Sequence, residues 1–289
     1  MSLEVELKLQ LLAEKGPDQL DWFTHHPYCQ HKSRSLVKNT YFDTPSLALV
    51  NARIALRIRE IEGRFFQTLK TKGASVGGLH QRGEWEYSIP DDHLEKSLLP
   101  DDVWPQDIDI EDLAAAFNTD FERNKWLWQD ESGNTIEVVH DTGRVTSPNG
   151  GIDQINELEL ELLEGDPDAI FALAQAIVSD LPCVLSDVTK AQRGYQLFAK
   201  DAWQAQTYQW NPENVVSQLE YIIHGLSSEQ SISDQIWQKL GDLVAQDLSH
   251  DLWIRSCCLK GREYVEQHTS LRGALLITLA HQAWTLSKP

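Results

Sequence analysis

The sequence predicts an α+β protein: a closed β-barrel with a polar lumen and flanking helices, followed by an all-helical C-terminal region. Three observations predict it. The first is the opening stretch, in which Glu4, Glu6 and Lys8 alternate with Leu3, Val5, Leu7 and Leu9. Residues two apart in a strand share a face, so one face is charged and the other apolar. The second is recurrence of that design in Arg57-Ile58-Arg59, Lys70-Thr71-Lys72, Arg82-Gly83-Glu84-Trp85-Glu86 and Glu157-Leu158-Glu159-Leu160-Glu161. Three carboxylates on one strand face repel one another unless cations neutralise them. Other strands carry such cations, so the charged faces are expected to meet inside a barrel whose apolar side lies under helices. The third is a change of period: about eight strands precede residue 165, whereas Val215, Leu219, Ile222, Ile223 and Leu226 follow helical spacing.

The elements follow in order. After the first strand, Gly16-Pro17-Asp18 starts a helix of about two turns that ends near His25-His26-Pro27. Leu36 to Phe42 reads as a strand closed by Asp43-Thr44-Pro45, and 46–52 as a connection. Residues 53–61 and 64–72 form a hairpin turning at Glu62-Gly63. Gly73 to Gly78 bridges to a strand from Leu79 to Ile89, and the acidic, proline-containing stretch 90–112 reads as a solvated surface excursion. A short helix from Ile110 to Phe117 leads into strands 121–129, 134–146 and 152–163. Asp166-Pro167 starts a helix with Ile170, Phe171, Leu173, Ala174, Ile177 and Val178 on its apolar face. Ser186 begins another, carrying Lys190 and Arg193.

Length and composition allow a barrel domain over 1–200 and a helical region over 201–289. A net charge of −19 excludes a general nucleic-acid binder, though not a local basic cavity. No apolar run is long enough to span a membrane, and the chain enters a strand at once, leaving no room for a signal peptide. Cys29, Cys183, Cys257 and Cys258 have neither zinc-ligand nor redox spacing. The expectation is a cytoplasmic protein with reduced thiols. His224, His250, His268 and His281 are scattered without ligand spacing, and Trp203, Trp210, Trp237, Trp253 and Trp284 read as packing residues.

Arg57, Arg59, Lys70, Lys72, Arg82 and Arg123, with Lys125, Lys190 and Arg193 as further candidates, could line one cavity. Arginine forks and lysine point charges suit a polyanion with several phosphoryl groups. Glu4, Glu6, Glu157, Glu159, Glu161 and Asp141 offer hard oxygen ligands for Mg²⁺ or Mn²⁺. A cavity holding both kinds of group would bind a metal–phosphate complex and support metal-assisted phosphoryl transfer. The plain alternative, mutual pairing of these charges across strands, is the better explanation for any single pair. It is weaker for the whole set, because buried ion pairs are a poor source of stability. Gly73 to Gly78 lacks the Lys-Ser/Thr ending of a P-loop.

The opening Glu4-x-Glu6-x-Lys8 resembles the signature of the CYTH superfamily, the triphosphate tunnel metalloenzymes. The resemblance extends in order through Asn39-Thr40-Tyr41-Phe42-Asp43-Thr44-Pro45, Leu56 to Arg59, Gly78 to Arg82, Glu157 to Glu161 and Lys190-Ala191-Gln192-Arg193-Gly194-Tyr195. It is nearest to bacterial inorganic triphosphatases in which a helical CHAD domain follows. It implies an antiparallel eight-stranded tunnel that hydrolyses tripolyphosphate with Mg²⁺ or Mn²⁺. By that pattern Glu4, Glu6, Glu157 and Glu159 would hold metal, joined by Glu161, and Asp141 would be a second-metal or water-positioning group. Lys8, Arg57, Arg59, Lys70, Lys72, Arg82 and Arg123 would grip phosphates, with Lys190 and Arg193 closing one end. The roughly 85-residue tail is shorter than a CHAD domain and lacks its histidine–basic helix motifs, which suggests a truncated or diverged relative. Two other functions compete. One is hydrolysis of an organic triphosphate such as thiamine triphosphate or a nucleotide, which an aromatic platform would favour; Trp85, Trp126 and Trp128 lie on the face opposite the charges. The other is a sensor that binds polyphosphate or nucleotide without turnover.

Overall fold

The computed structural model describes residues 2–12, 18–71, 73–199, 208–227, 231–245 and 252–288. The chain runs through β1 (Ser2–Leu11), α1 (Asp18–His25), β2 (Cys29–Asp43), α2 (Ala48–Asn51), β3 (Ala55–Ile61), β4 (Arg64–Lys70), β5 (Ala74–Val76) and β6 (Leu79–Ile89). Then come β7 (Ala114–Gln129), β8 (Thr135–Thr146), β9 (Ile152–Glu164), α3 (Asp168–Asp180), β10 (Cys183–Leu185) and α4 (Lys190–Ala199). Five more helices follow: α5 (Val215–Ser227), α6 (Asp234–Ala245), α7 (Leu252–Lys260), α8 (Arg262–Gln267) and α9 (Thr269–Ser287). The helix start at Gly16-Pro17, Lys72, Trp203 and His250 lie outside the described residues.

Neighbouring strands run β1-β9-β8-β7-β2-β3-β4-β6, and β6 pairs back onto β1, so eight antiparallel strands close a barrel. The two short strands sit outside the ring, β10 on β1 and β5 on β6. The period-2 pattern decides which side each residue faces. Val5, Leu7, Leu9 and Leu11 of β1 turn outward into the largest apolar cluster, with Val138, Leu158 and Leu160 of the neighbouring strands. That cluster continues through Ile170, Phe171, Leu173 and Ile177 of α3 to Leu219, Ile222, Leu240, Leu275 and Leu279 of the C-terminal helices. The barrel and the helical region therefore share one core. Gly77 shows how closely they meet: a Cβ there would stand 2.2 Å from the carbonyl oxygen of Ala280 in α9.

Four expectations about the elements are corrected. β2 starts at Cys29, not Leu36, because its polar first half pairs with β7 from Cys29↔Trp128 onward in a ribbon with two register shifts. The helix expected from Ile110 to Phe117 is a single 3-10 turn, Ile110–Asp112, after which β7 begins at Ala114. Helix propensity in Ala114-Ala115-Ala116 loses to ladder pairing against β2. The stretch 90–112 is more than a solvated excursion: its acids are exposed, but Leu99, Ile108 and Ile110 pack on Leu56, Leu69 and Trp85 and cover the outside of β3, β4 and β6.

The last helix of the barrel region begins at Lys190 rather than Ser186. Thr189 and Gln192 form a reciprocal cap: the Gln192 backbone N–H donates to Thr189 Oγ1 (3.1 Å) and the Thr189 N–H to Gln192 Oε1 (2.6 Å). Within Asn39 to Pro45, Asp43 is structural, its carboxylate accepting from the backbone N–H groups of Thr44, Leu49 and Val50 at 2.7–3.0 Å. Among the described residues no helix is long and apolar enough to cross a membrane, and none of the four cysteines forms a disulfide.

Candidate active site

The inward faces enclose a cavity of about 590 Å³. β1 contributes Glu4, Glu6 and Lys8; β3 contributes Arg57 and Arg59; β4 contributes Thr68 and Lys70; β6 contributes Arg82, Glu84 and Glu86. Arg123 and Lys125 of β7, Glu137 of β8, Glu159 and Glu161 of β9, Tyr41 of β2 and Thr189 and Lys190 at the start of α4 complete the wall. Eight cationic side chains face seven carboxylates there.

Register supplies most of the partners, because opposed residues in adjacent strands bring their side chains together. Glu4 stands opposite Arg82, Lys8 opposite Glu159, Arg123 opposite Asp141 and Asp141 opposite Glu157. Three groups result. In the innermost, Asp141 and Glu157 are fully buried behind Glu159, and the oxygens of the three come within 4.8 Å of one another. Lys190 Nζ lies 2.6 Å from Asp141 Oδ2, 2.6 Å from Glu157 Oε1 and 3.0 Å from Glu159 Oε1. Lys8 Nζ donates to Glu159 (2.8 Å), and Arg123 binds Asp141 through two parallel bonds of 2.7 and 2.6 Å. In the second group Glu4 accepts from Lys70 (2.7 Å) and Arg82 (2.8 Å), and Arg82 also reaches Glu6 (2.6 Å).

The third group is loosely paired. Arg57 and Arg59 come only within 3.9 Å of Glu84 and Glu86, and otherwise hydrogen-bond neutral oxygens of Tyr41 and Asn39. The titration of the lumen follows this division. Burial alone would raise Glu4, but Lys70 and Arg82 outweigh it and hold the carboxyl down to about 2. Glu159 is likewise held well below the usual range by Lys190, Lys8 and Arg123, against the effect of its own burial. Arg59 is also pushed down, to about 10, by burial and then by Arg57 and Arg123, but for a guanidinium this means that its charged form is disfavoured. Glu161 is pushed up to about 7 by burial and by Glu4 and Glu137.

Most of the residues singled out from the sequence meet in this cavity or directly behind its wall. Arg193 does not: its guanidinium donates to the Gln154 carbonyl (2.8 Å) and to Gln10 Oε1, and sits 3.4 Å from Asp153. Lys72 lies outside the described residues. Sequence reasoning missed Tyr41, Thr68, Glu84, Glu86, Glu137 and Thr189 as lining residues. Glu84 and Glu86 carried a readable signal, since they continue the alternation that begins at Arg82. Glu137 alternates with Asp141 in the same way, but without a flanking charged run. Trp126 and Trp128 pack in the outer apolar cluster, as expected from their face.

An enclosed lumen of strand-borne cations and carboxylates defines a class of protein, a closed β-barrel with a charged tunnel. The CYTH domain model matches residues 2–195, and the chain belongs to the CYTH family, the triphosphate tunnel fold. It is 32% identical over 206 residues to an inorganic triphosphatase of Haemophilus influenzae, an alignment covering 69% of this chain and 56% of the relative. The chain thus spans little more than half the length of that curated relative. Among solved structures it is similar to a Hippeastrum protein with a dominant triphosphatase activity (20% identity, 66% of this chain and 95% of the other, TM-score 0.45). It is also similar to protein PH1819 of Pyrococcus horikoshii OT3 (18% identity, 66% and 97%, TM-score 0.43).

Proposed function

We propose that the chain is a metal-dependent inorganic triphosphatase, hydrolysing tripolyphosphate to pyrophosphate and orthophosphate inside the barrel. The observation that carries this reading is the convergence of Arg57, Arg59 and Arg123 in the cavity wall, where burial and then the neighbouring Arg57 and Arg123 push Arg59 down to about 10. Arg57 and Arg59 approach Glu84 and Glu86 only to 3.9 Å, and a chain of phosphoryl groups would give them a closer anion through bidentate contacts to guanidinium forks. Lys8, Lys70, Arg82 and Lys125 would hold the remaining phosphoryl oxygens, releasing their present carboxylate partners as they do so. Water attacks one terminal phosphorus, a new P–O bond forms, and the bridging P–O bond breaks. The cations stabilise charge on the leaving pyrophosphate.

The donor set fits the Mg²⁺ or Mn²⁺ that this reading requires. Glu4, Glu6, Glu157, Glu159, Glu161 and Asp141 are hard oxygen ligands, and Glu161, opposite Glu6 in the β1–β9 ladder, lines the cavity without an ion-pair partner among the described residues. The bound ion would neutralise charge at phosphorus and lower the pKa of a water molecule. We further propose a cytoplasmic location, and a division of the chain into a tunnel region, 1–200, and a helical region, 201–289, of truncated or diverged CHAD type. The family match to residues 2–195 supports the first boundary.

An organic triphosphate is the second reading, favoured by Tyr87, a partly exposed aromatic residue among those lining the cavity. Initial rates of phosphate release from tripolyphosphate, ATP, thiamine triphosphate and pyrophosphate, each with Mg²⁺ and with Mn²⁺, separate the two. Fastest turnover of tripolyphosphate supports the first reading. A preference for ATP or thiamine triphosphate that disappears in Tyr87→Ala supports the second. Tight binding of tripolyphosphate with no phosphate released overturns both and leaves a sensor.

A further inference from the structure

We propose that Lys190 is the resident cation of the inner carboxylates, its ammonium standing where a divalent ion would otherwise sit, so that metal is taken instead on the Glu161 side of the lumen. The inference rests on the metal-dependent reading above and specifies which carboxylates serve it.

Three observations carry it. The first is contact. One ammonium group lies 2.6–3.0 Å from oxygens of Asp141, Glu157 and Glu159, the same three whose oxygens are spaced to hold one ion. The second is charge balance. Lys8, Arg123 and Lys190 together offset three carboxylates, of which Asp141 and Glu157 are fully buried and Glu159 faces the cavity. Adding a dication would leave this group over-neutralised and would place a cation against a buried ammonium, which low dielectric makes costly. The third is rigidity. Lys190 is the first residue of α4, behind the Thr189–Gln192 cap, and is buried. Four residues on, Gly194 lies so close to Phe117 that a Cβ would stand 2.0 Å from the ring. Arg193 ties the same turn to Gln154 and Gln10. The helix is seated on the barrel, which fixes the Lys190 backbone beside the three carboxylates. Glu161 offers the contrast. Among the described residues it has no ion-pair partner, it faces Glu6 across the β1–β9 ladder, and its side chain reaches the cavity.

The test counts Mn²⁺ bound to the whole chain without substrate, by calorimetric titration and by the spin-resonance signal of free Mn²⁺. Because phosphate release is not measured, failure of the triphosphatase reading leaves this result readable. Asp141→Asn is expected to keep the wild-type number of Mn²⁺ ions. Lys190→Met is expected to gain one Mn²⁺ per chain, and to lose it again when Asp141→Asn is added. Glu161→Gln is expected to weaken the Mn²⁺ binding of the wild type. Loss of an ion in Asp141→Asn alone, or no gain in Lys190→Met, overturns the role of Lys190. Unchanged binding in Glu161→Gln, or no Mn²⁺ bound by the wild type, overturns the Glu161 side. Should Lys190→Met fail to fold, the Asp141→Asn count decides: retention supports the role and loss overturns it.

Discussion

Glu4 and Arg59 sit in one lumen, which favours the charged form of the first and disfavours that of the second, and this makes them the most informative single residues. The Glu4 carboxyl is held down to about 2, from an ordinary value of 4.5, by Lys70 and Arg82 overcoming its burial. A group depressed on folding contributes stability above its unfolded pKa and loses it as pH falls through the folded one. The contribution is on the order of 3 kcal/mol, present above about pH 4.5 and lost towards pH 2. Urea unfolding over that range should show a steep fall in wild-type stability and a flatter one in Glu4→Gln; equal slopes would contradict the pairing. Arg59 carries the reverse expectation. It is crowded by Arg57 and Arg123, so Arg59→Ala should leave the unfolding free energy unchanged or higher. Its kcat/KM for tripolyphosphate should nonetheless fall by about 10²-fold, the usual cost of removing one charge-stabilising donor. A variant that loses stability along with activity would show Arg59 to be a structural residue.

At the scale of elements, legibility depended on whether both faces of a strand carry a signal. β1, β3, β6 and β9 were readable because charge alternates with Leu, Ile or Trp along them. The first half of β2, Cys29 to Ser35, is mostly polar on both faces and takes its conformation from pairing with Arg123 to Trp128, partners far away in sequence. Ala114 to Ala116 hid the start of β7 for the opposite reason, since local propensity favours helix and only the ladder to Phe42 and Asp43 overrules it. The start of α4 was legible but misplaced: Thr189-x-x-Gln192 is a capping signature that Ser186 upstream obscured. That element also makes a sharp prediction. Gly194→Ala drives a methyl group into Phe117, itself stacked on Tyr41 at 4.6 Å. It should lower the thermal midpoint by an amount equivalent to about 1–3 kcal/mol. Gly241→Ala, where no atom lies within 4 Å, should not. Equal shifts in both would mean that α4 is not seated as described.

The whole molecule places a cation-lined cavity inside a chain of net charge −19. Inward-facing charges were legible from alternation alone, whereas their partition into three groups was not, because it depends on register and on a lysine from a helix. One apolar cluster runs from Leu7 and Leu9 to Leu275 and Leu279, across the proposed boundary near residue 200. Unfolding in denaturant should therefore be a single transition by fluorescence and by circular dichroism, and Leu279→Ala should lower its midpoint as a core truncation does, by about 2–5 kcal/mol. Two separated transitions would show independent barrel and helical units. The central claim concerns the lumen, and phosphate release from tripolyphosphate by the wild type and by Glu4→Ala, each with Mn²⁺ and with excess chelator, tests it most directly. The account predicts rapid release by the wild type with Mn²⁺ and release near background in the other three conditions; a rate indifferent to both chelation and Glu4→Ala would contradict it.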